Sequence, residues 1–297
     1  MSENLLSSLN KSQKTAAQHI DGPMLILAGA GSGKTKTITT RLAYLISIGI
    51  DPRSILTLTF TNKAASQMRE RAFSMLDSSM INTPPLLCTF HKFGLLFLKF
   101  HMSELNRKNN FIIIDTDDKK RIIKSIDKEI TTSLLAAEIS KYKNSLLTPS
   151  EAKSAAQLKL YLQIAEIYEK YEAYLEKNNL VDFDDLLLLP YRILSKNEKL
   201  ANEISQKYQY IMVDEYQDTN ELQYRLLRLL CSSHNNLCVV GDDDQSIYGW
   251  RGATIKNILN FSEHFENTNV VKLEENYRST DTILNHANQL IEHNRDR

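Results

Sequence analysis

The stretch Ala28-Gly29-Ala30-Gly31-Ser32-Gly33-Lys34-Thr35 follows an apolar run at residues 24–30 and opens a helical pattern at residues 34–47. Apolar strand, glycine-rich loop and helix in that order make a phosphate-gripping P-loop. The glycines let backbone amides turn inward around phosphate oxygens, and the helix N-terminus adds partial positive charge. Lys34 supplies a point charge to β- and γ-phosphates, and Thr35 offers a hydroxyl to Mg²⁺. The general pattern begins with Gly, whereas Ala28 stands at that position here. A chance glycine-rich turn is the competing reading, and the intact Gly33-Lys34-Thr35 in a strand–loop–helix context argues against it.

Working outward, four further β-rich runs occur at residues 55–61, 210–214, 237–241 and 270–273. They lack clean polar alternation, as strands buried on both faces do. Helical periodicity follows at 34–47, 63–77 and 221–230, so strand and helix alternate, which predicts a parallel sheet with helices on both faces. Between about residues 93 and 206 the chain turns rich in Lys, Glu and Leu, with 111–114 its one β-like run and a clear 3.6-residue pattern over 157–176. This reads as a mostly helical insertion in an α/β domain.

Bulk properties narrow the class without naming it. Hydrophobic content of 42% and charged content of 24% are those of an ordinary soluble globular chain. No apolar run reaches the roughly 18 residues of a membrane span, and the N-terminus lacks a secretory pattern; a cytoplasmic protein with no membrane partner is expected. Cys88, Cys231 and Cys238 form no CxxC pair and read as reduced, buried thiols. Net charge is zero, yet residues 1–110 carry 13 Lys and Arg against 6 Asp and Glu, a local basic surface compatible with nucleic acid.

Three more segments carry chemistry. In Ile211-Met212-Val213-Asp214-Glu215, acidic residues end a buried strand, where an open α/β sheet binds ligand. There Asp214 can hold Mg²⁺ and Glu215 can polarise an attacking water as general base; a helix N-cap is the plain alternative. In residues 239–245 another strand ends in a polar loop, where Gln245 can touch both a γ-phosphate and the attacking water. The following residues bring Tyr248, Trp250 and Arg251 together, a stacking platform for unpaired bases or, on the plain reading, a Trp plugging the core. In residues 273–279, Arg278 can offer a planar donor fork to phosphate.

The ordered set AGAGSGKT (28–35), TFTNKAA (59–65), TFHKFG (89–94), DFDDLL (182–187), VDEYQDTN (213–220), GDDDQSIYGWRGA (241–253) and LEENYRS (273–279) resembles the UvrD/Rep/PcrA helicases of superfamily 1. The segment 182–190 looks most like Rep, and residues 9–13 resemble that family's adenine-reading Q motif. Ala28 is itself what this family uses. The resemblance spans essentially the whole chain and implies a RecA-like P-loop fold with ATP and Mg²⁺ as cofactors. By position, it implies that Gln13 reads the adenine edge, Tyr277 stacks on the adenine, and Gln245 and Arg278 contact the γ-phosphate. Lys36 stands where relatives often carry Arg over the adenine, and stacks less well. For DNA, it implies a single-strand track of Phe60, Asn62, Thr89, His91, Phe183, Tyr248, Trp250 and Arg251.

The expected organisation is a split motor domain (1–91 and 204–283), a helical insertion (92–203) and, in 284–297, the start of a second motor domain absent from this chain. The resemblance further implies 3′-to-5′ translocation on single-stranded DNA, action at single-strand/duplex junctions, and a role in repair or replication restart with repair proteins as possible partners. The competing expectation is a non-motor ATP switch or single-strand-binding module with little hydrolysis.

Overall fold

The computed structural model describes residues 2–77, 83–246, 249 and 252–293. The chain forms two compact units. The first comprises Met1–Thr89, Lys199–Thr219 and Leu230–Arg297, and the second Phe90–Glu198 and Asn220–Leu229.

The first unit is built on β1 (Met24–Ala28), β2 (Ile55–Thr59) and β3 (Leu86–Thr89), joined by β6 (Tyr210–Val213), β7 (Leu237–Gly241) and β8 (Asn269–Leu273). The remaining strands, β4 (Ile112–Ile113) and β5 (Leu180–Val181), pair with each other in the second unit. The large sheet runs β3-β2-β6-β7-β1-β8 with every neighbouring pair parallel. Strands β2 and β7 are buried throughout and β1 nearly so, which fits runs that carry no charged residue, with Thr57 and Thr59 the buried hydroxyls of β2. Its core gathers Met24 and Ile26 from β1, Ile38 and Leu42 from the following helix, and Met212, Val240 and Val271 from neighbouring strands.

Two strand ends differ from expectation. β1 stops at Ala28 and β2 at Thr59, because the residues beyond them turn into the loops at the sheet's C-terminal edge. β3 was not anticipated, being four residues long and running directly into helix Phe90–His101. The first unit also carries helix Lys11–Gln18, whose C-terminal end is fastened by a buried arginine. Arg41, on helix Lys34–Ser47, donates to the carbonyls of Ala16 (3.3 Å), His19 and Ile20 (3.3 Å).

The second unit is mostly helical, with a core of its own drawn from Ile123, Leu135, Ile139, Ile164, Tyr168 and Tyr171. The 157–176 periodicity corresponds to helix Lys159–Lys177. At its centre lies an ion cluster: Lys143, fully buried, pairs with Glu172 (2.7 Å), Asp185 (2.8 Å) and Asp182 (3.1 Å). Lys119 bridges Asp182 and Asp184 at 3.3 and 2.8 Å. Among the described residues, no helix is long and apolar enough to cross a membrane.

Candidate nucleotide site

In the first unit, β7 lies between β1 and β6, with Leu27 opposite Gly241 and Val213 opposite Val239. That order brings three loops side by side at the C-terminal edge: the P-loop after β1, Asp242–Gln245 after β7, and Asp214–Glu215 after β6. A binding crevice outside the carboxyl ends of parallel strands follows from the topology.

The P-loop turns on Gly31 (φ 79°) and Gly33 (φ 88°), backbone conformations that a side chain disfavours. A Cβ at Gly31 would also come within 2.6 Å of Arg278 Cβ. Ser32 caps the turn inward, its Oγ donating to the Gly29 carbonyl at 2.8 Å. Gly33 is the N-cap of helix Lys34–Ser47 and provides no side-chain cap, leaving the first amides of that helix to a ligand. Lys34 has a mostly buried side chain and, among the described residues, its Nζ makes no hydrogen bond; it lies 3.6 Å from Asp242 Oδ2. Thr35, half-buried, is the next residue of the same turn.

On the acidic side, Asp214 is buried and its Oδ1 has no hydrogen-bond partner among the described residues. Burial and the adjacent Glu215 push its carboxyl up to about 7. Glu215 sits in the left-handed region (φ 51°, ψ 46°), a sparsely populated conformation for a residue with a Cβ. Its carboxylate accepts from Gln217 Nε2 at 2.8 Å. Asp218, whose Oδ1 is buried without a partner, is pushed up to about 6 by burial and by Glu215. Gln245 donates from Nε2 to Asp242 Oδ2. Asp242 is itself pushed up by burial, against the opposing pull of Lys34.

A mostly buried ammonium and buried carboxylate oxygens, each without a hydrogen-bond partner among the described residues and gathered at one sheet edge, make a set suited to a phosphate carrying a divalent cation. Among the described residues, no group of three His, Cys, Asp or Glu could hold a metal alone. Thr35 and Asp214 would therefore share a cation with ligand oxygens, as Mg²⁺ is commonly held.

The base-binding candidates converge on the same loop. Gln13 is 1% exposed; its Oε1 accepts from the Asn10 amide (3.1 Å) and its Nε2 donates to the Ser32 carbonyl (3.0 Å). One N–H and one lone pair of that amide remain for a ligand. Tyr277 is 61% exposed, and its hydroxyl accepts from Asn10 Nδ2 and donates to Glu275 Oε2, each at 2.8 Å. Lys36 turns to the Ser8 carbonyl at 2.5 Å. Arg278 is exposed. Asn276, unremarked in the sequence, locks Tyr277 and Arg278 to the P-loop. Its Nδ2 donates to Ala30 O, its Oδ1 accepts the amides of Arg278 and Ser279 at 2.9 Å, and Tyr277 N donates to Gly31 O at 2.9 Å.

The expected DNA track is distributed. Within the first unit, half-buried Phe60 follows β2, exposed Asn62 opens helix Asn62–Ser74, and buried Thr89 ends β3. Within the second unit, His91 and Phe183 meet edge to face with ring centroids 6.3 Å apart, and Phe183 is 52% exposed. Burial lowers the His91 imidazole below its ordinary value, against Asp184. Tyr248, Trp250 and Arg251 lie outside the described residues.

A six-stranded parallel sheet with the P-loop strand separated from the acidic strand by β7 defines a RecA-like nucleotide-binding domain. The chain belongs to the UvrD/REP helicase N-terminal domain family, whose profile matches residues 9–266. It is 43% identical to a probable DNA helicase II homolog of Mycoplasma capricolum, across 99% of this chain and 42% of that protein. It is 41% identical to the ATP-dependent DNA helicases PcrA of Staphylococcus aureus and Staphylococcus epidermidis, across 99% of this chain and 41% of each of those proteins. The chain thus spans about two fifths of the length of these relatives.

Of the residues that hold the site together, sequence reasoning missed Asn10, Arg41, Gln217, Asp218, Asp242 and Asn276. Asn10 carried a readable signal, since Asn-x-x-Gln before a helix is a capping box. Arg41, Gln217, Asp242 and Asn276 each reach at least one partner distant in sequence, and Asp218 shows only through its burial beside Glu215.

Proposed function

We propose that this chain is the ATP-binding motor part of a DNA helicase that translocates along single-stranded DNA, 3′ to 5′ by resemblance, at the expense of ATP. The single observation carrying this reading is the convergence at one sheet edge of Lys34 without a hydrogen bond, Asp214 Oδ1 without a partner, and Glu215. Lys34 and the P-loop amides hold the β- and γ-phosphates, while Thr35 and Asp214 hold Mg²⁺, which offsets phosphate charge. Glu215 accepts a proton from the attacking water. Gln245 and Arg278 contact the γ-phosphate, and Gln13 and Tyr277 bind the adenine. Residues 28–33 form the cradle and Lys36 flanks the base.

The DNA side of the reading rests on Phe60, Asn62, Thr89, His91, Phe183, Tyr248, Trp250 and Arg251. Exposed Phe183 beside His91 supports a stacking role, since base–aromatic stacking contributes roughly 1–3 kcal/mol per base. The same reading divides the chain into a motor domain (1–91 and 204–283), an insertion (92–203) and the start of a second motor domain from 284. Helix Asp281–Ile291 buries none of its side chains, which supports a further packing partner. Substrates with single-strand/duplex junctions, a part in repair or replication restart, and a cytoplasmic setting belong to this proposal.

The test is nucleotide binding by calorimetry on the wild type and on Lys34→Ala and Glu215→Gln. The alanine is expected to abolish Mg·ATP binding. The glutamine should preserve binding and remove DNA-stimulated turnover in the full-length protein. Unchanged affinity in Lys34→Ala sinks the P-loop assignment, and tight binding with no turnover under any DNA condition favours a non-motor ATP switch.

A further inference from the structure

Gln217 is 2% exposed and lies in the turn after β6, two residues beyond Glu215. Both ends of its amide are committed. Nε2 donates to Glu215 Oε2 at 2.8 Å, and Oε1 accepts from the Asp242 backbone amide at 3.0 Å. The orientation of the amide is therefore fixed: an ionised carboxylate only accepts, and a backbone N–H only donates. Space fixes its position as well, because a Cβ on Gly241 would approach Gln217 Oε1 to 2.6 Å and Ile258 Cδ1 to 2.8 Å. Neighbouring Tyr216 packs edge to face on Phe261 at 5.5 Å, and Thr219 Oγ1 donates to Tyr216 O at 2.7 Å, so the backbone under Gln217 is held too.

The far side of the same contact is the residue that carries the other phosphate-facing groups. Asp242 Oδ2 accepts from Gln245 and lies 3.6 Å from Lys34 Nζ. Gln217 thus joins the Glu215 carboxylate to the strand end on which Gln245 and Lys34 rest. Without that side chain, Glu215 would keep its backbone but lose the Nε2 donor that fixes its carboxylate, and the buried Asp242 amide would lose its acceptor.

We propose that Gln217 is a positioning residue for ATP hydrolysis. It orients the Glu215 carboxylate toward the attacking water and locks that carboxylate in register with Asp242, Lys34 and Gln245. The proposal rests on the reading of Glu215 as general base. It distinguishes binding from turnover, because the Gln217 amide bonds to Glu215 and to the Asp242 backbone and, among the described residues, makes no hydrogen bond to the P-loop, Gln13 or Tyr277. A general base displaced by about 1 Å loses on the order of 100-fold in rate while ground-state binding survives.

The experiment measures kcat and KM for single-stranded-DNA-stimulated ATP hydrolysis by the full-length protein, with nucleotide Kd and Tm, for Gln217→Glu, Gln217→Met and Glu215→Gln. Gln217→Glu preserves the size of the side chain, removes its donor and opposes a carboxylate to Glu215. Both Gln217 variants are expected to lose about 10- to 100-fold in kcat, with KM for ATP and nucleotide Kd within about threefold of wild type. If Gln217→Met does not fold, the near-isosteric Gln217→Glu decides alone. Wild-type kcat in Gln217→Glu, alongside lost turnover in Glu215→Gln, overturns the positioning role and leaves the general base standing. A loss of nucleotide affinity and Tm that matches the loss of kcat also overturns it, in favour of a packing role. Turnover that survives Glu215→Gln overturns the general-base reading, and the Gln217 proposal with it.

Discussion

Asp214 is a carboxylate with little reason to be buried unless something cationic joins it. Its Oδ1 has no partner, and burial with Glu215 beside it pushes the carboxyl up to about 7, so near neutral pH the ligand-free protein holds a proton there part of the time. A divalent cation bound by Asp214 and a phosphate needs the ionised form and expels that proton. The sign follows directly. Affinity for Mg·ADP should fall as pH drops below about 7, and binding near pH 6.5 should release protons to the buffer. Calorimetry in buffers of different ionisation enthalpy reads the release, and Asp214→Asn should abolish it while weakening the Mg²⁺ dependence. Proton release that persists in Asp214→Asn would assign it elsewhere, with Asp218, raised to about 6 by burial and Glu215, the first alternative.

At the scale of elements, the segment 182–187 shows how one short stretch separates a buried anchor from an exposed tool. Asp182 and Asp185 cap each other's amides, Asp185 N to Asp182 Oδ1 at 2.9 Å and Asp182 N to Asp185 Oδ2 at 3.2 Å. Their side chains reach Lys143, while Phe183 between them stays exposed against His91. Burial alone would lower the Lys143 ammonium, but Asp182, Asp185 and Glu172 outweigh it and hold it well above its ordinary value. Removing that cation strips buried Asp185 of its ammonium partner and leaves Asp182 to Lys119 and Glu172 to Arg192. Lys143→Met should therefore destabilise the second unit by about 3–5 kcal/mol, seen as a lower denaturant midpoint; a change under about 1 kcal/mol would mean the cluster is hydrated and weak. The sequence made the segment's Phe legible as a motif position but gave no sign of Lys143, which lies 39 residues from Asp182. The same division runs through the fold. β1, β2, β6 and β7 were legible because strands buried on both faces read as short β-rich runs without charged residues. β3 was not, since its four residues pass straight into helix Phe90–His101 with no turn residue between, and β5 has only two residues. In the site, P-loop and acidic residues announced themselves by local spacing. Gln217 and Asn276 did not, because what they hold arrives from Asp242 and Ala30, far along the chain.

For the molecule as a whole, each unit contains a hydrophobic cluster from its own segments: Met24, Ile38, Met212 and Val240 in one, Ile123, Ile139, Ile164 and Tyr168 in the other. A ligand stabilises only those openings that dismantle its site, by RT ln(1 + [L]/Kd), or about 2.7 kcal/mol at a hundredfold excess over Kd. The nucleotide residues, from Gln13 through Arg278, all fall in the first unit. Amide exchange should therefore separate the units. Saturating Mg·ADP is expected to slow exchange by up to roughly 100-fold in the P-loop, in helix Lys34–Ser47 and around 214–218, 242–245 and 276–279, wherever exchange requires opening of the first unit. Helices Thr132–Asn144 and Lys159–Lys177 should exchange at unchanged rates. A thymidine oligonucleotide should give a different map, with protection at 60–62 in one unit and at 182–187 in the other, because the proposed track places Phe60 and Asn62 in the first unit and Phe183 in the second. Equal protection by Mg·ADP of Thr132–Asn144 and the P-loop would show that the two cores open as one cooperative body. Protection by the oligonucleotide confined to the nucleotide loops would remove Phe183 and His91 from the track, leaving their edge-to-face contact a purely structural one.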